Sequence, residues 1–104
     1  MIFSEEITKY IIENNLQDAV VYVLANYDFL LQKAIKQRQK QGGPKYNDES
    51  GMIVEIHNNR FLLHFIASRI TVYEDITISL PNFKCVIDQQ ENAMYTYDEI
   101  YNTI

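Results

Sequence analysis

The chain has 104 residues, of which 47% are hydrophobic. That suits one domain with one core and excludes extended disorder or a transmembrane bundle. The single cysteine, Cys85, excludes an internal disulfide and fits a reducing compartment. A net charge of −5 disfavours binding of nucleic acid or anionic membrane by the molecule as a whole.

At the N-terminus, MIFSEEITKYII has no basic start and carries Glu5 and Glu6 inside the stretch that would have to be apolar in a secretory signal. No apolar run approaches the ~20 residues that span a bilayer. The expectation is a soluble, cytoplasmic protein with no membrane partner. Ser4 followed by two acids predicts a capped helix over about 4–13, with Phe3, Ile7, Tyr10 and Ile11 on its apolar side. Asn14-Asn15 ends it, and Asn15 is expected to cap a second helix over 16–41. In that helix Leu16, Val20, Val23, Tyr27, Leu30 and Ala34 recur at helical spacing, and Ala19, Leu24, Leu31 and Ile35 widen the stripe. Gly42-Gly43-Pro44 is expected to stop it.

Beyond a loop over 42–50 the period becomes two. With an Asn58-Asn59 hairpin turn, residues 52, 54 and 56 face 65, 63 and 61, and all six are apolar. Ile70 and Val72 suggest another strand at about 69–74, with a bend near Ala67-Ser68. A second hairpin is expected across Pro81-Asn82, setting Ile76, Ile78 and Leu80 against Ile87, Cys85 and Phe83. Thr96-Tyr97-Asp98-Glu99 has the form of a capping box for a short helix over 97–104, with Ile100 and Ile104 on one side. The expected fold is one α+β domain over 1–104: two N-terminal helices packed on an antiparallel, four- to five-stranded meander, with a short C-terminal helix.

Catalytic or metal chemistry finds little footing. The first hairpin holds His57 and His64 roughly 13 Å apart along the strand, too far to share a metal. Cys85 falls on an apolar face, where a thiol behaves as a small hydrophobe. The three glycines, at 42, 43 and 51, form no phosphate-cradling loop. No enzyme activity, cofactor or metal is expected.

Two surfaces could bind a partner. The first is acidic and rich in tyrosine: Tyr73, Glu74 and Asp75, together with Tyr95, Tyr97, Asp98, Glu99 and Tyr101. Tyrosine buries area with few rotors and keeps a polar tip, so this set suits a basic protein partner. The bland alternative is a terminal helix docked by its tyrosines and capped by its acids. The second surface is basic. Residues 29–47 contain Lys33, Lys36, Arg38, Lys40 and Lys45 and no acid. Tyr22 and Phe29 are expected in line with them on the far side from the core, where bases could stack and phosphates be neutralised. Against this, the first helix could fold back over the two aromatics and leave the lysines as a solvated helix end. The same helix could form a dimer seam. The leading expectation is a small acidic protein-binding module, in general character like inhibitor, immunity and anti-defence proteins. Nucleic-acid binding and a homodimeric assembly subunit are the alternatives.

Overall fold

A computed structural model describes residues 1–40, 51–66 and 69–101, with Tyr101 in its backbone alone. The elements run β1 (Ile2–Phe3), α1 (Glu5–Glu13), α2 (Gln17–Lys40), β2 (Met52–His57), β3 (Arg60–Phe65), β4 (Thr71–Asp75), β5 (Phe83–Asp88), β6 (Ala93–Thr96) and α3 (Tyr97–Tyr101). The class is α+β as expected, with two N-terminal helices and a short C-terminal one. The expected end of the second helix at Gly42-Gly43-Pro44, the bend at Ala67-Ser68 and Ile104 lie outside the described residues.

Local chemistry accounts for the helix ends. The Ser4 hydroxyl accepts from the Ile7 amide at 3.2 Å, satisfying one orphan donor of α1. At the other end, Asn15 adopts φ 54°. The Leu16 amide donates to the Ile11 carbonyl at 2.9 Å and the Asn15 amide to Ile12 at 3.4 Å. This is a Schellman closure, and asparagine supplies the left-handed residue at little steric cost. Asn15 therefore terminates α1 and does not cap α2. The first backbone bond of α2 runs from the Val20 amide to the Leu16 carbonyl at 3.0 Å.

The six strands form one mixed sheet in the order β1-β6-β5-β2-β3-β4. The β2–β3 hairpin has the expected register, with Met52 opposite Phe65, Val54 opposite Leu63 and Ile56 opposite Phe61. Asn58 and Asn59 both take positive φ, 50° and 59°, as a two-residue primed turn requires. β4 continues antiparallel to β3.

The second hairpin does not form, and the sheet is no meander. Residues 76–80 are not a strand, and β5 instead pairs antiparallel with β2, setting Cys85 opposite Val54 and Phe83 opposite Ile56. Apolar alternation alone cannot separate the two pairings, since an apolar face matches any other apolar face. Ile78, expected in the core, is 50% exposed. Two strands went unforeseen. β6 returns antiparallel along β5, and β1 lies parallel to β6. Two residues are too few to show a period.

Helices α1 and α2 share one face of the sheet, α1 near β6 and α2 over β3 and β4. Met52, Val54, Ile56, Phe61, Leu63, Phe83, Cys85, Ile87 and Met94 are all but inaccessible beneath them, joined to Ile7, Leu16, Val23, Leu30 and Ala34. The helical stripe is shifted from expectation: Leu24 is 42% exposed, while Tyr22 is half-buried against the core. Burial pushes the Cys85 thiol far up, out of reach of ordinary nucleophilic chemistry. The β2–β5 pairing makes a clear prediction. Phe83→Ala should cost about 3–5 kcal/mol in a denaturant melt, whereas Ile78→Ala should stay within about 0.5 kcal/mol. Comparable losses at both positions would support the hairpin instead.

Candidate functional site

Strand alternation places Ile53, Glu55 and His57 of β2, Arg60, Leu62 and His64 of β3, Thr71, Tyr73 and Asp75 of β4, and Lys84 and Val86 of β5 on the face away from α1 and α2. Over β2 to β4 this face is half-exposed, and a shallow depression of about 240 Å³ lies on it. Ile53 and Leu62 form its floor, and Glu55, His64, Thr71 and Lys84 line its sides.

Each side of the depression carries a cation on a tyrosine ring. On β3–β4, the Arg60 guanidinium carbon sits 4.5 Å from the Tyr73 ring centroid, and its Nε donates to Asp75 at 3.1 Å. On the β5 side, Lys84 Nζ lies 4.0 Å from the Tyr97 centroid. Lys84 stands directly opposite Glu55 across the β2–β5 pair. The Glu55 carboxylate is 3.9 Å from His57 Nδ1. His64 shares a hydrogen bond with the Thr71 hydroxyl. The two histidines thus have separate neighbours, and among the described residues no cluster of His, Cys, Asp and Glu could hold a metal ion.

Tyr95 extends the same face onto β6, opposite Val86. Val86 is buried, and the backbone of Gly51, at φ +89°, passes so close that an added Cβ would lie 3.2 Å from its methyl. The Tyr95 hydroxyl donates to Glu91 at 2.8 Å. That hydrogen bond, then partial desolvation, then the charges of Glu91, Asp88 and Glu99 raise its phenol above the usual range. Asp88 and Glu91, in and after β5, thereby join the expected acidic group. Nothing in the sequence distinguished them from ordinary turn acids, because only the return of β6 along β5 brings Tyr95 to them.

The expected acidic, tyrosine-bearing surface is in fact divided. Tyr95 and Tyr97, with Asp98 exposed beside them, stand at the β5–β6 end of the sheet. Tyr73 and Asp75 stand on β4, four strand spacings or roughly 19 Å away. Glu74 points to the helix side, opposite Phe61. Glu99 is half-buried and structural: its carboxylate accepts from the Thr96 amide and from the Ser4 hydroxyl at 2.8 Å, while its own amide donates to Thr96 Oγ1. The side chain of Tyr101 lies outside the described residues.

The basic surface is also only partly assembled. The Tyr22 ring reaches round the flank of α2 to Phe61, centroids 5.9 Å apart, so it packs on the core and does not lie on the far side of the helix. Phe29 is exposed, as are Lys36 and Lys40; Arg38 is half-buried. Lys33 Nζ approaches the Tyr73 carbonyl at 3.5 Å. Lys45 lies outside the described residues. No family model, curated protein or solved structure matches the chain.

Ultraviolet titration of the phenols tests the acidic corner. One tyrosine should ionise above the usual value of about 10, disappear from the titration in Tyr95→Phe, and move down in Glu91→Gln. The fold favours the neutral phenol. Its contribution to stability is therefore fully present below about pH 10 and is lost as pH rises through the raised value.

Proposed function

We propose that the protein is a non-catalytic protein-binding module that takes a basic segment of a partner at the acidic corner of its sheet, at the β5–β6 end. The observation that carries this reading is the gathering of Tyr95 and Tyr97 with Asp88, Glu91 and Asp98 on one accessible corner. A lysine or arginine arriving there meets carboxylates for its charge and aromatic rings for its stem and head. Lys84 on Tyr97 displays, within the chain, the contact a partner's cation could make. The Tyr73 side contributes less, since Asp75 is its one outward-facing acid and Arg60 already pairs with it.

A module of this kind acts by occupying its partner, as inhibitor and immunity proteins do. Support for an enzyme is weak: Cys85 is sealed in the core and the histidines have separate neighbours. Nucleic-acid binding through α2 has less behind it, because Tyr22 packs on Phe61 and cannot stack on a base.

Fluorescence anisotropy with a Lys/Arg-rich peptide, against a neutral peptide of equal length, provides the test. The basic peptide should bind and weaken as salt rises. Glu91→Lys with Asp98→Lys should reduce affinity at least about tenfold, while Asp75→Lys should have a smaller effect. Equal affinity for both peptides, or for wild type and the double variant, would remove the proposal.

A further inference from the structure

Part of the outward side of α2 is apolar, where a surface helix normally shows polar residues. Val21 is 65% exposed, Phe29 56% and Leu24 42%, and Ala25 is exposed between them. At about 100° per residue, Val21, Ala25 and Phe29 form one ridge, with Asp18 before it and Lys36 after it. This ridge lies on the opposite side of the molecule from the open sheet face and is independent of it.

We infer that this ridge is a self-association seam, and that its occupant is a second copy of the chain with its α2 antiparallel. The charge pattern chooses the occupant. Asp18 lies at the N-terminal end of the ridge, while Lys33, Lys36 and Lys40 lie towards the other end, all of them exposed. Parallel copies would set lysine beside lysine. An antiparallel copy sets Asp18 of each chain against Lys36 of the other, a complement that parallel copies lack. With the two-fold axis near residue 27, Asp18 faces Lys36 of the second copy and Phe29 faces Ala25, each pair occurring twice. The small alanine leaves the hollow that the phenyl ring fills. Lys33, held near the Tyr73 carbonyl, lies at the rim of the seam.

The seam is one helix of 24 residues, about 36 Å long. Two such helices alone fall short of the roughly 1,200–2,000 Å² buried in stable complexes, so the dimer is weak and dissociates on dilution. Light scattering and sedimentation across a concentration series test it. The wild-type mass should rise towards twice 12.3 kDa with concentration and fall back as salt is added. Phe29→Glu should hold the chain monomeric with an unchanged thermal melt, because the side chain is largely solvent-exposed. Asp18→Lys and Lys36→Asp should each weaken the dimer about tenfold or more, and the two together should restore it. A merely structural role for either residue gives no such rescue. Wild type that stays monomeric at ~1 mM, dimers indifferent to Phe29→Glu, or a charge swap without recovery would each overturn the inference.

Discussion

β2 has apolar partners on both sides, and the rest of the molecule depends on that. Its inner residues Met52, Val54 and Ile56 face Phe65, Leu63 and Phe61 on one flank and Ile87, Cys85 and Phe83 on the other. Nine side chains thereby form a continuous slab, every one of them almost wholly buried. At roughly 1.5–3 kcal/mol for each large side chain removed from water, no local turn competes with a pairing that completes this slab. The segment before β5 is displaced in consequence, leaving Ile76 buried but Ile78 in solvent. The Asn82 side chain meanwhile accepts from the Asn58 amide, joining that segment to the β2–β3 turn.

The open face inherits its composition from the same pairing. Setting β5 beside β2 brings Lys84 opposite Glu55 and carries β6, with Tyr95, to the sheet's other side. The ends of the chain are then joined through one carboxylate. Glu99 closes the cap of α3 and accepts from Ser4, which itself caps α1. One side chain thus orients α3, and with it Tyr97, relative to the first helix. The acidic corner is consequently held by elements from both termini, although all its tyrosines and acids come from residues 88–98.

Local signals were legible in the sequence to the extent that they were local. Ser4, the Asn58-Asn59 turn and the Thr96–Glu99 box each act over three or four residues, and each forms as its residue types require. The β2–β3 register is similarly determined by one turn and the alternation on either side of it. What could not be read was long-range choice. Cys85 was expected on the inner face and is there, but against Val54 and not Ile78. A period-two pattern specifies which side of a strand is buried; it carries no label for the neighbour. Asn15 illustrates a different limit, since the same residue type suits both the start of a helix and the left-handed end of the previous one. For the candidate site, the tyrosines and acids were visible as composition, but their division into two groups depended on strand order.

The two surfaces proposed for binding lie on opposite sides of the molecule's two layers, and that separation has a consequence for binding. Helix α2 covers one face of the sheet, so its outer ridge and the open sheet face point away from each other. Joining two copies through α2 leaves both open faces uncovered and directed outwards. The proposed dimer would therefore be bivalent for basic segments, and each contact, weak by itself in salt, would gain from the other by effective concentration where a partner offers two such segments. A charged corner beside a shallow depression of about 240 Å³ is poorly suited to tight binding as a single site. Presented twice by the proposed dimer, the same corner would need no deeper pocket to hold a repetitive basic partner. In the proposed assembly the helix seam and the sheet corner would be parts of one device, α2 setting the number of sites and β5–β6 their chemistry.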